Sequence, residues 1–448
     1  MMKKNMGDAH ALLQGMLLLA VMLISSCSPQ PALPPSKQAL SGPPAYDYPI
    51  DNPYAATIIG MPPEMKVDYS NAHIPKPQDK KITLFKDRPI PEGFWYEEGL
   101  RYSQLLQQKP AALVYVIAGT GADSRAETMR TIANILYSGG FSVVLLPSPT
   151  HPNFIINASG NYIPGRPAQD AEDLYRLMNR IDQKVSSEAK VTGHMLIGYS
   201  LGALDAVFTA KLDDERKALN FNKVLLINPP LSLYSSMQVI DNLLYSALPG
   251  GINEADRFVK TAVSRLSSMS QSSDALDFQN ERLLIDAYNK YKPSDNRLAT
   301  TIGLSFRLAA ADMIFASDVM SRSGYIFPRN LEFTTSTSLN SYLSVALRTS
   351  FRNYFDDIYT ERYCADNPRL SKQALIDESS LESLSGYIVR HPKIGLITNK
   401  DDIILAPGEL SKLVALFGKN AAVFPNGGHL GNLGDRAVAY HIIQFLRN

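Results

Sequence analysis

The sequence predicts an α/β fold, in which a mostly parallel sheet is flanked by helices and carries a large helical insertion. Two observations predict the sheet: short continuous apolar runs typical of buried parallel strands, and amphipathic helix patterns that alternate with them. Such alternation indicates helices on both faces of one sheet. A third observation predicts the insertion, because residues 231–390 contain only helix patterns before the strand patterns return.

Length and composition fit this class. The chain has 448 residues, which exceeds one compact core and predicts at least two structural units. Its 45% hydrophobic and 19% charged residues are typical of a globular protein. The net charge of +1, and the lack of Lys/Arg blocks interleaved with aromatic residues, argue against a nucleic-acid partner.

Residues 1–26 resemble a bacterial lipoprotein signal peptide. Lys3 and Lys4 precede an apolar stretch of h-region length, which is too short for a confident transmembrane helix. The stretch ends in LISSCS, which resembles a lipobox and implies that Cys27 becomes the lipidated first residue. By the same resemblance, Ser28 after the cysteine suggests the outer membrane of a Gram-negative envelope. The alternative is an ordinary signal peptide or membrane anchor with an incidental cysteine.

Residues 27–80 are rich in proline and predict a tether between membrane and domain. The first part has the composition of extended, solvated chain. The second part carries the apolar side chains of Tyr46, Tyr48, Tyr54 and Ile58, which are suited to lie along the domain surface.

The core is predicted to comprise residues 81–230 and 391–448, and the helical cap residues 231–390. Two early strands are predicted in KITLFK and GFWYEEG. The later strands are predicted in the apolar runs AALVYVIAG, FSVVLLP, HMLIG, KVLLINPP, KIGLITN and NAAVFPN. Helices are predicted between them, among them AETMRTIANILYSGG, RPAQDAEDLYRLMNRIDQKV, LGALDAVFTAKL and, at the end, DRAVAYHIIQFLRN.

Ser200 stands in the pentapeptide Gly-Tyr-Ser-Leu-Gly, between an apolar strand and a helix. A serine at such a sharp strand-to-helix turn needs a glycine on either side, because side chains at 198 and 202 would collide with neighbouring elements. Backbone strain at this position indicates a nucleophile displayed at the carboxyl edge of the sheet.

A serine nucleophile needs a base, and His429 is the predicted one. It follows the last strand in NGGHLGN, where glycines free the loop to bring the imidazole inward. His194, His391 and His441 fit structural roles better. His151, at the end of an earlier strand, is either a loop residue or a residue that lines the site.

The acid that orients the base is predicted in TNKDDIIL, again after a strand. Asp401 and Asp402 compete for this role. The apolar pair Ile403 and Ile404 matches the D-x-[apolar]-[apolar] pattern that commonly follows such an acid, so Asp401 is preferred and Asp402 is expected to be a solvated or capping carboxylate.

The chain order Ser, Asp, His, with each residue on a turn after a strand, resembles the α/β-hydrolase superfamily and its nucleophile elbow. The resemblance covers roughly residues 80–230 and 390–448, and a cap is a common variation in that family. It implies an oxyanion hole formed by the backbone N–H groups of Leu201 and of Thr120 in AGTGAD. Ala118 replaces the histidine that family members typically carry in this loop.

These residues predict a serine hydrolase that cleaves a carboxylic ester, with a small-molecule or lipid acyl substrate. The same triad would serve an acyltransferase, a thioesterase or a peptidase, and a non-catalytic envelope scaffold is the alternative from another class. No metal or cofactor is expected, because the sequence lacks metal-ligand spacings, a P-loop and a dinucleotide fingerprint.

Overall fold

The structure is a computed structural model that describes residues 44–62, 64–69, 73–245, 288–367 and 369–448. The predicted signal peptide, Cys27 and the first part of the predicted tether lie outside these ranges. So does the predicted cap helix EADRFVKTAVSRLSSM.

A single eight-stranded sheet forms the centre of the described chain, in the order β1-β2-β4-β3-β5-β6-β7-β8. Strand β2 runs antiparallel to both β1 and β4, and all other neighbours are parallel. The predicted α/β fold, a mostly parallel sheet flanked by helices, is therefore confirmed. The strands are β1 Gln78–Ile82, β2 Leu100–Leu105, β3 Ala111–Ile117, β4 Ser142–Leu146, β5 Val191–Tyr199, β6 Lys223–Ile227, β7 Ile394–Asn399 and β8 Ala421–Phe424.

Helices cover both faces of this sheet because its central strands are apolar on both sides. In β3, Leu113, Tyr115 and Ile117 face one apolar layer, whereas Val114 and Val116 face the other. The helices of the core are α2 Glu127–Ser138, α3 Pro152–Asn157, α4 Pro167–Glu188, α5 Leu201–Arg216, α12 Ser385–Arg390, α13 Glu409–Phe417 and α14 Arg436–Arg447.

The described part of residues 231–390 is helical, as the sequence predicts, and most of it packs around its own apolar cluster. Its last residues differ, since Leu381, Leu384 and Ile388 pack into the core. The helices are α6 Leu233–Tyr245, α7 Asp295–Ser321, α8 Asn340–Arg348, α9 Phe351–Asn353, which continues through the π-helical turn Tyr354–Tyr359 into α10 Thr360–Asp366, and α11 Lys372–Glu378.

Helix α7 is the longest cap helix in the part of the chain that the structure describes. Among the described residues it alone is long and apolar enough to cross a membrane, yet 78% of its apolar window is buried inside the protein. This burial is that of a core helix of the cap.

The prediction of a strand in GFWYEEG is wrong. Residues Glu92–Glu97 form a 3₁₀ helix, and the second strand begins later, at Leu100. The aromatic ring of Phe94 packs into the cap cluster, with its centroid 4.9 Å from that of Phe333. The Gly93 main-chain N–H donates to the Phe333 carbonyl (3.0 Å), so this apolar run is anchored by the cap and not by the sheet.

The described second part of the predicted tether is also more ordered than a tether. Helix α1, Pro53–Ile59, forms there, with Pro53 at its first position and the Asn52 side chain capping its N-terminus. Ala55 and Ala56 are fully buried, and Tyr48 and Met61 are nearly so. Residues 44–61 are therefore part of the folded domain.

Candidate active site

Ser200 lies between β5 and α5 in the conformation of a nucleophile elbow. Its φ of 54° and ψ of −126° fall outside the regions that ordinary side chains prefer, so this turn stores backbone strain. The Ser200 main-chain N–H donates to the carbonyl of Ile227 on the neighbouring strand (2.9 Å), which holds the turn against the sheet.

Both glycines of the pentapeptide are required by close backbone approach, as the sequence predicts. A Cβ at Gly198 would lie 1.9 Å from the carbonyl oxygen of Gly202. A Cβ at Gly202 would lie 2.4 Å from the carbonyl oxygen of Ile117, at the end of β3. Real Cβ atoms do not approach other atoms so closely. Only glycine at both positions therefore allows α5 to begin directly after Ser200.

The structure brings His429 against Ser200, although the two residues are 229 positions apart in the sequence. The His429 Nε2 atom lies 3.0 Å from Ser200 Oγ, within hydrogen-bonding distance. Both residues are buried, with 6% and 7% of their surface exposed. The two side chains have the geometry of a nucleophile and its general base.

The carboxylate that faces His429 belongs to Asp402, and not to Asp401 as the sequence analysis prefers. Asp402 Oδ1 and Oδ2 lie 3.0 Å and 3.2 Å from His429 Nδ1. A carboxylate only accepts, so Nδ1 carries the proton and Nε2 is left to accept from the Ser200 hydroxyl. The side chain of Asp402 is fully buried, and it completes a continuous chain of contacts that runs from Ser200 through His429.

Asp401 points the other way, toward the backbone of the loop that carries His429. Its two carboxylate oxygens accept from the N–H groups of Gly427 (3.1 Å) and Gly428 (3.0 Å). The pKa of Asp401 is raised, because the effect of burial exceeds that of its backbone hydrogen bonds, which lower the pKa. The expectation of a capping carboxylate thus applies to Asp401. Consecutive residues of the turn point apart, and the apolar pair that follows does not reveal which one faces the histidine.

A further polar residue contacts the acid, and sequence reasoning missed it. Asn228, directly after β6, donates its side-chain N–H to Asp402 Oδ2 (2.7 Å). Both residues are buried. Asn228 has a φ of 48°, which asparagine tolerates better than most residues. The available signal was a polar residue at the carboxyl end of a buried strand that neighbours both the strand of the nucleophile and that of the acid.

The loop AGTGAD lies beside the nucleophile. A Cβ at Gly119 would lie 2.9 Å from Ser200 Cβ, so the backbone here passes directly over the elbow. The Gly121 N–H donates to Thr150 Oγ1 (2.8 Å) and is thereby engaged. Leu201 is the first residue of α5, where helix N–H groups have no acceptor within the helix. Thr120 thus follows the residue whose backbone lies against the elbow, and Leu201 follows Ser200 directly in the chain.

The remaining histidines of the described core contact other groups. His194 Nε2 lies 2.7 Å from Asp182, and His391 Nδ1 lies 2.7 Å from the carbonyl of Tyr387. His441 packs edge-on against Phe424. His151 caps α3, where its Nδ1 accepts from the Asn153 N–H (3.1 Å). The pKa of His151 is lowered, because the effect of its burial exceeds that of the nearby carboxylates of Glu97 and Asp123, which raise the pKa.

Cap helix α7 contacts the loop AGTGAD. A Cβ at Gly121 would lie 2.7 Å from that of Ala309, so the small residues at both positions permit this contact.

Beside Asp402, an apolar cluster joins the buried Leu243, Ala299 and Ile302 of the cap to Ile403. Four partly buried side chains belong to it, namely Tyr54, Ile58, Phe306 and Ile403. Among the described residues, no group of three or more His, Cys, Asp or Glu side chains is arranged to hold a metal ion.

No protein-family model and no curated protein sequence matches the chain. Solved structures do match it. An esterase from Pyrococcus furiosus is 11% identical with a TM-score of 0.40, and the match covers 90% of this chain and 98% of that one. An esterase from Rhizomucor miehei is 11% identical with a TM-score of 0.42, covering 89% and 97%. The thioesterase domain from the curacin biosynthetic pathway is 14% identical with a TM-score of 0.36, covering 84% and 100%. Likenesses this distant support no assignment of activity.

Proposed function

We propose that the protein is a serine hydrolase that cleaves carboxylic esters through an acyl-enzyme at Ser200. One observation carries the proposal: the continuous chain of contacts from Ser200 Oγ to His429 Nε2, and from His429 Nδ1 to Asp402. A strained serine at a strand-to-helix turn, in contact with a histidine that a buried carboxylate orients, is the arrangement that activates a hydroxyl nucleophile.

Each residue then has a defined task. Ser200 Oγ attacks the ester carbonyl carbon while His429 Nε2 accepts the hydroxyl proton. His429 gives this proton to the oxygen of the leaving alcohol as the C–O bond breaks, and the acyl group stays on Ser200. Water then attacks the carbonyl carbon of the acyl-enzyme while His429 Nε2 accepts its proton. His429 returns this proton to Ser200 Oγ as the bond between the acyl group and Oγ breaks, which releases the carboxylic acid and restores the serine. Asp402 stabilises the imidazolium formed in both steps.

The negative charge on the carbonyl oxygen is held by the N–H groups of Leu201 and Thr120. Two placements support this role: Leu201 directly follows Ser200 at the start of α5, and Thr120 follows Gly119, whose backbone lies against the elbow. The N–H of the next residue, Gly121, is already engaged by Thr150. Oxyanion donors of this kind are fixed before the reaction starts, so they stabilise the transition state without reorganisation.

The apolar cluster beside Asp402 supports an acyl or alcohol group of apolar character. Its partly buried members include the aromatic side chain of Phe306, whose character suits such a group. Amide and thioester substrates use the same triad and are distinguished by experiment.

The test is hydrolysis of p-nitrophenyl esters from short to long acyl chains, by the wild type and by Ser200→Ala. The proposal expects turnover that the substitution abolishes, with a chain-length preference that identifies an esterase or a lipase. An acyltransferase is identified if an added alcohol accelerates the release of p-nitrophenol and the ester of that alcohol is formed. A folded wild type that cleaves no ester, thioester or amide supports a non-catalytic scaffold.

The lipobox pattern supports a lipid anchor at Cys27, which fixes the enzyme to the bacterial cell envelope, at the outer membrane. Radiolabelled palmitate is then incorporated by the wild type but not by Cys27→Ala, and the variant leaves the membrane fraction. Equal labelling of both proteins contradicts the anchor.

A further inference from the structure

Helix α1 lies against the loop that carries His429, although the sequence analysis places it in the tether region. The main-chain N–H of His429 donates to Thr57 Oγ1 (2.9 Å). Thr57 Oγ1 itself donates to the carbonyl of Pro53 one turn earlier (2.7 Å). A hydroxyl has a single proton, so the bond to Pro53 commits that proton and turns a lone pair of the oxygen toward His429.

The backbones of α1 and of the His429 loop are in direct contact. A Cβ at Gly428 would lie 2.2 Å from the carbonyl oxygen of Pro53 and 2.5 Å from Thr57 Oγ1. A Cβ at Gly431 would lie 2.2 Å from the carbonyl oxygen of Ala56. The glycines around His429 therefore do more than free the loop, because they make room for α1.

Tyr46 holds the same loop from the other end of the N-terminal segment. Its hydroxyl donates to the carbonyl of Asn426 (2.5 Å) and accepts from the side chain of Asn432 (3.0 Å). Its ring packs on Phe424, the last residue of β8, with the centroids 4.9 Å apart. Residues before and after His429 are thus bound to residues 46–57.

The opposite side of α1 contacts the cap. The Asn52 side chain donates to Asp295 at the start of α7 (2.7 Å). Ala55 and Ile59 pack against Leu298 of the same helix. Because α1 is wedged between α7 and the His429 loop, these contacts fix its position relative to the base.

We infer that the N-terminal segment 44–61 belongs to the catalytic machinery and that Thr57 is a positioning residue for His429. This inference rests on the proposed function, because a position of His429 matters to the rate only if it is the base. Thr57 touches no reacting atom. It fixes the backbone from which the imidazole reaches Ser200 and Asp402.

The test compares Thr57→Val with Thr57→Ser in the full chain. Valine keeps the shape and removes the acceptor, whereas serine keeps the hydroxyl. Thr57→Val is expected to lower two quantities by about tenfold: kcat for a p-nitrophenyl ester, and the rate at which a fluorophosphonate labels Ser200. This factor corresponds to the loss of one neutral hydrogen bond. KM is expected to stay within about twofold, since α1 acts on the base and the binding of the ester is kept. Thr57→Ser is expected to retain most of the wild-type rate.

Thr300→Val is the matched control. Thr300 makes the same bond to the carbonyl four residues earlier, at Asn296 (2.6 Å), but in α7. It is expected to leave kcat unchanged. Amide hydrogen exchange over residues 427–431 adds a readout that needs no substrate, and it is expected to accelerate in Thr57→Val alone.

The outcomes separate the two claims. The inference is overturned, and the proposed function stands, if the fluorophosphonate labels the wild type but a folded Thr57→Val has the same kcat and the same amide hydrogen exchange as the wild type. Equal losses in Thr57→Val and Thr57→Ser also overturn it, because the hydroxyl would then not be the cause. Wild type that fails to label overturns both. Should Thr57→Val not fold, Tyr46→Phe tests the same segment, with a smaller loss of kcat expected and an unchanged rate counting against the inference.

Discussion

The carboxylate of Asp402 lies 3.0 Å from Nδ1 of His429, whereas its neighbour Asp401 binds the N–H groups of Gly427 and Gly428 in the same loop. Of these two consecutive residues, one thus presents its carboxylate to the imidazole and the other presents its carboxylate to the backbone of the loop. The two side chains are expected to contribute to activity by different mechanisms and to different extents.

Asp402→Asn and Asp401→Asn form the pair that measures this difference. The amide in place of Asp402 neither holds the correct tautomer nor stabilises the imidazolium, so kcat is expected to fall by about 10³- to 10⁴-fold. Asp401→Asn keeps one acceptor for the loop, and a loss of less than about tenfold is expected. Steady-state kinetics on one ester gives both values, and the reverse order of severity would contradict the assignment.

Asn228 holds the far oxygen of Asp402, and Asn228→Gly removes that contact. Glycine adopts the φ of 48° without strain, so the backbone is kept and only the side-chain bond is lost. A decrease in kcat of about tenfold is expected, because the buried carboxylate loses a donor and its orientation. Asn220→Gly, at a surface position with a φ of 55°, is the control and is expected to have full activity.

Gly202→Ala tests the close packing of the elbow. The added methyl would lie 2.4 Å from the carbonyl of Ile117, and the free energy of unfolding is expected to fall by about 3 kcal/mol, together with activity. In Gly386→Ala, on the exposed face of α12, the nearest atom lies 3.4 Å away on the flexible Arg390 side chain. This control is expected to be neutral or stabilising by about 0.5 kcal/mol. Equal effects of the two substitutions on chemical unfolding would refute the steric explanation.

The titration of Asp435, which caps α14, is expected to make the free energy of unfolding depend on pH. Burial raises its pKa to about 6 from 3.8, and its Oδ2 has no hydrogen-bond partner among the described residues. Between these values the folded chain binds more protons at this group than the unfolded chain, so its contribution to stability falls as the pH rises from about 4 to about 6.

Asp435→Asn keeps an acceptor for the Ala437 N–H and removes this titration. The free energy of unfolding of the variant minus that of the wild type is therefore expected to increase across that window, by about 1–2 kcal/mol. Urea unfolding at several pH values measures it. A difference that is constant with pH, or that decreases, would contradict the assignment.

The strands and the elbow were predictable because their signals are local. Continuous apolar runs identify buried parallel strands, and Gly198 and Gly202 flank Ser200 for a steric reason that the sequence already expresses. His429 was predictable for the same reason, since it stands alone in a glycine-rich loop after the last strand.

The remaining features depend on long-range packing. GFWYEEG has strand-like composition, but Phe94 finds its partner in Phe333 of the cap. Asp401 and Asp402 are indistinguishable until the direction of each side chain in the turn is known. Thr57 contacts a residue 372 positions away, and neither its helix nor the glycines it faces indicate that pairing in the sequence.

The measurement that tests the central claim most directly is the intact mass of the purified, folded protein after treatment with a fluorophosphonate. A single adduct is expected on the wild type, with peptide mapping that assigns it to Ser200. It is expected to be absent from Ser200→Ala and strongly slowed in His429→Ala, because the hydroxyl then lacks its base. A folded wild type without an adduct, or an adduct that forms equally fast in Ser200→Ala, would contradict the assignment of Ser200 as the nucleophile.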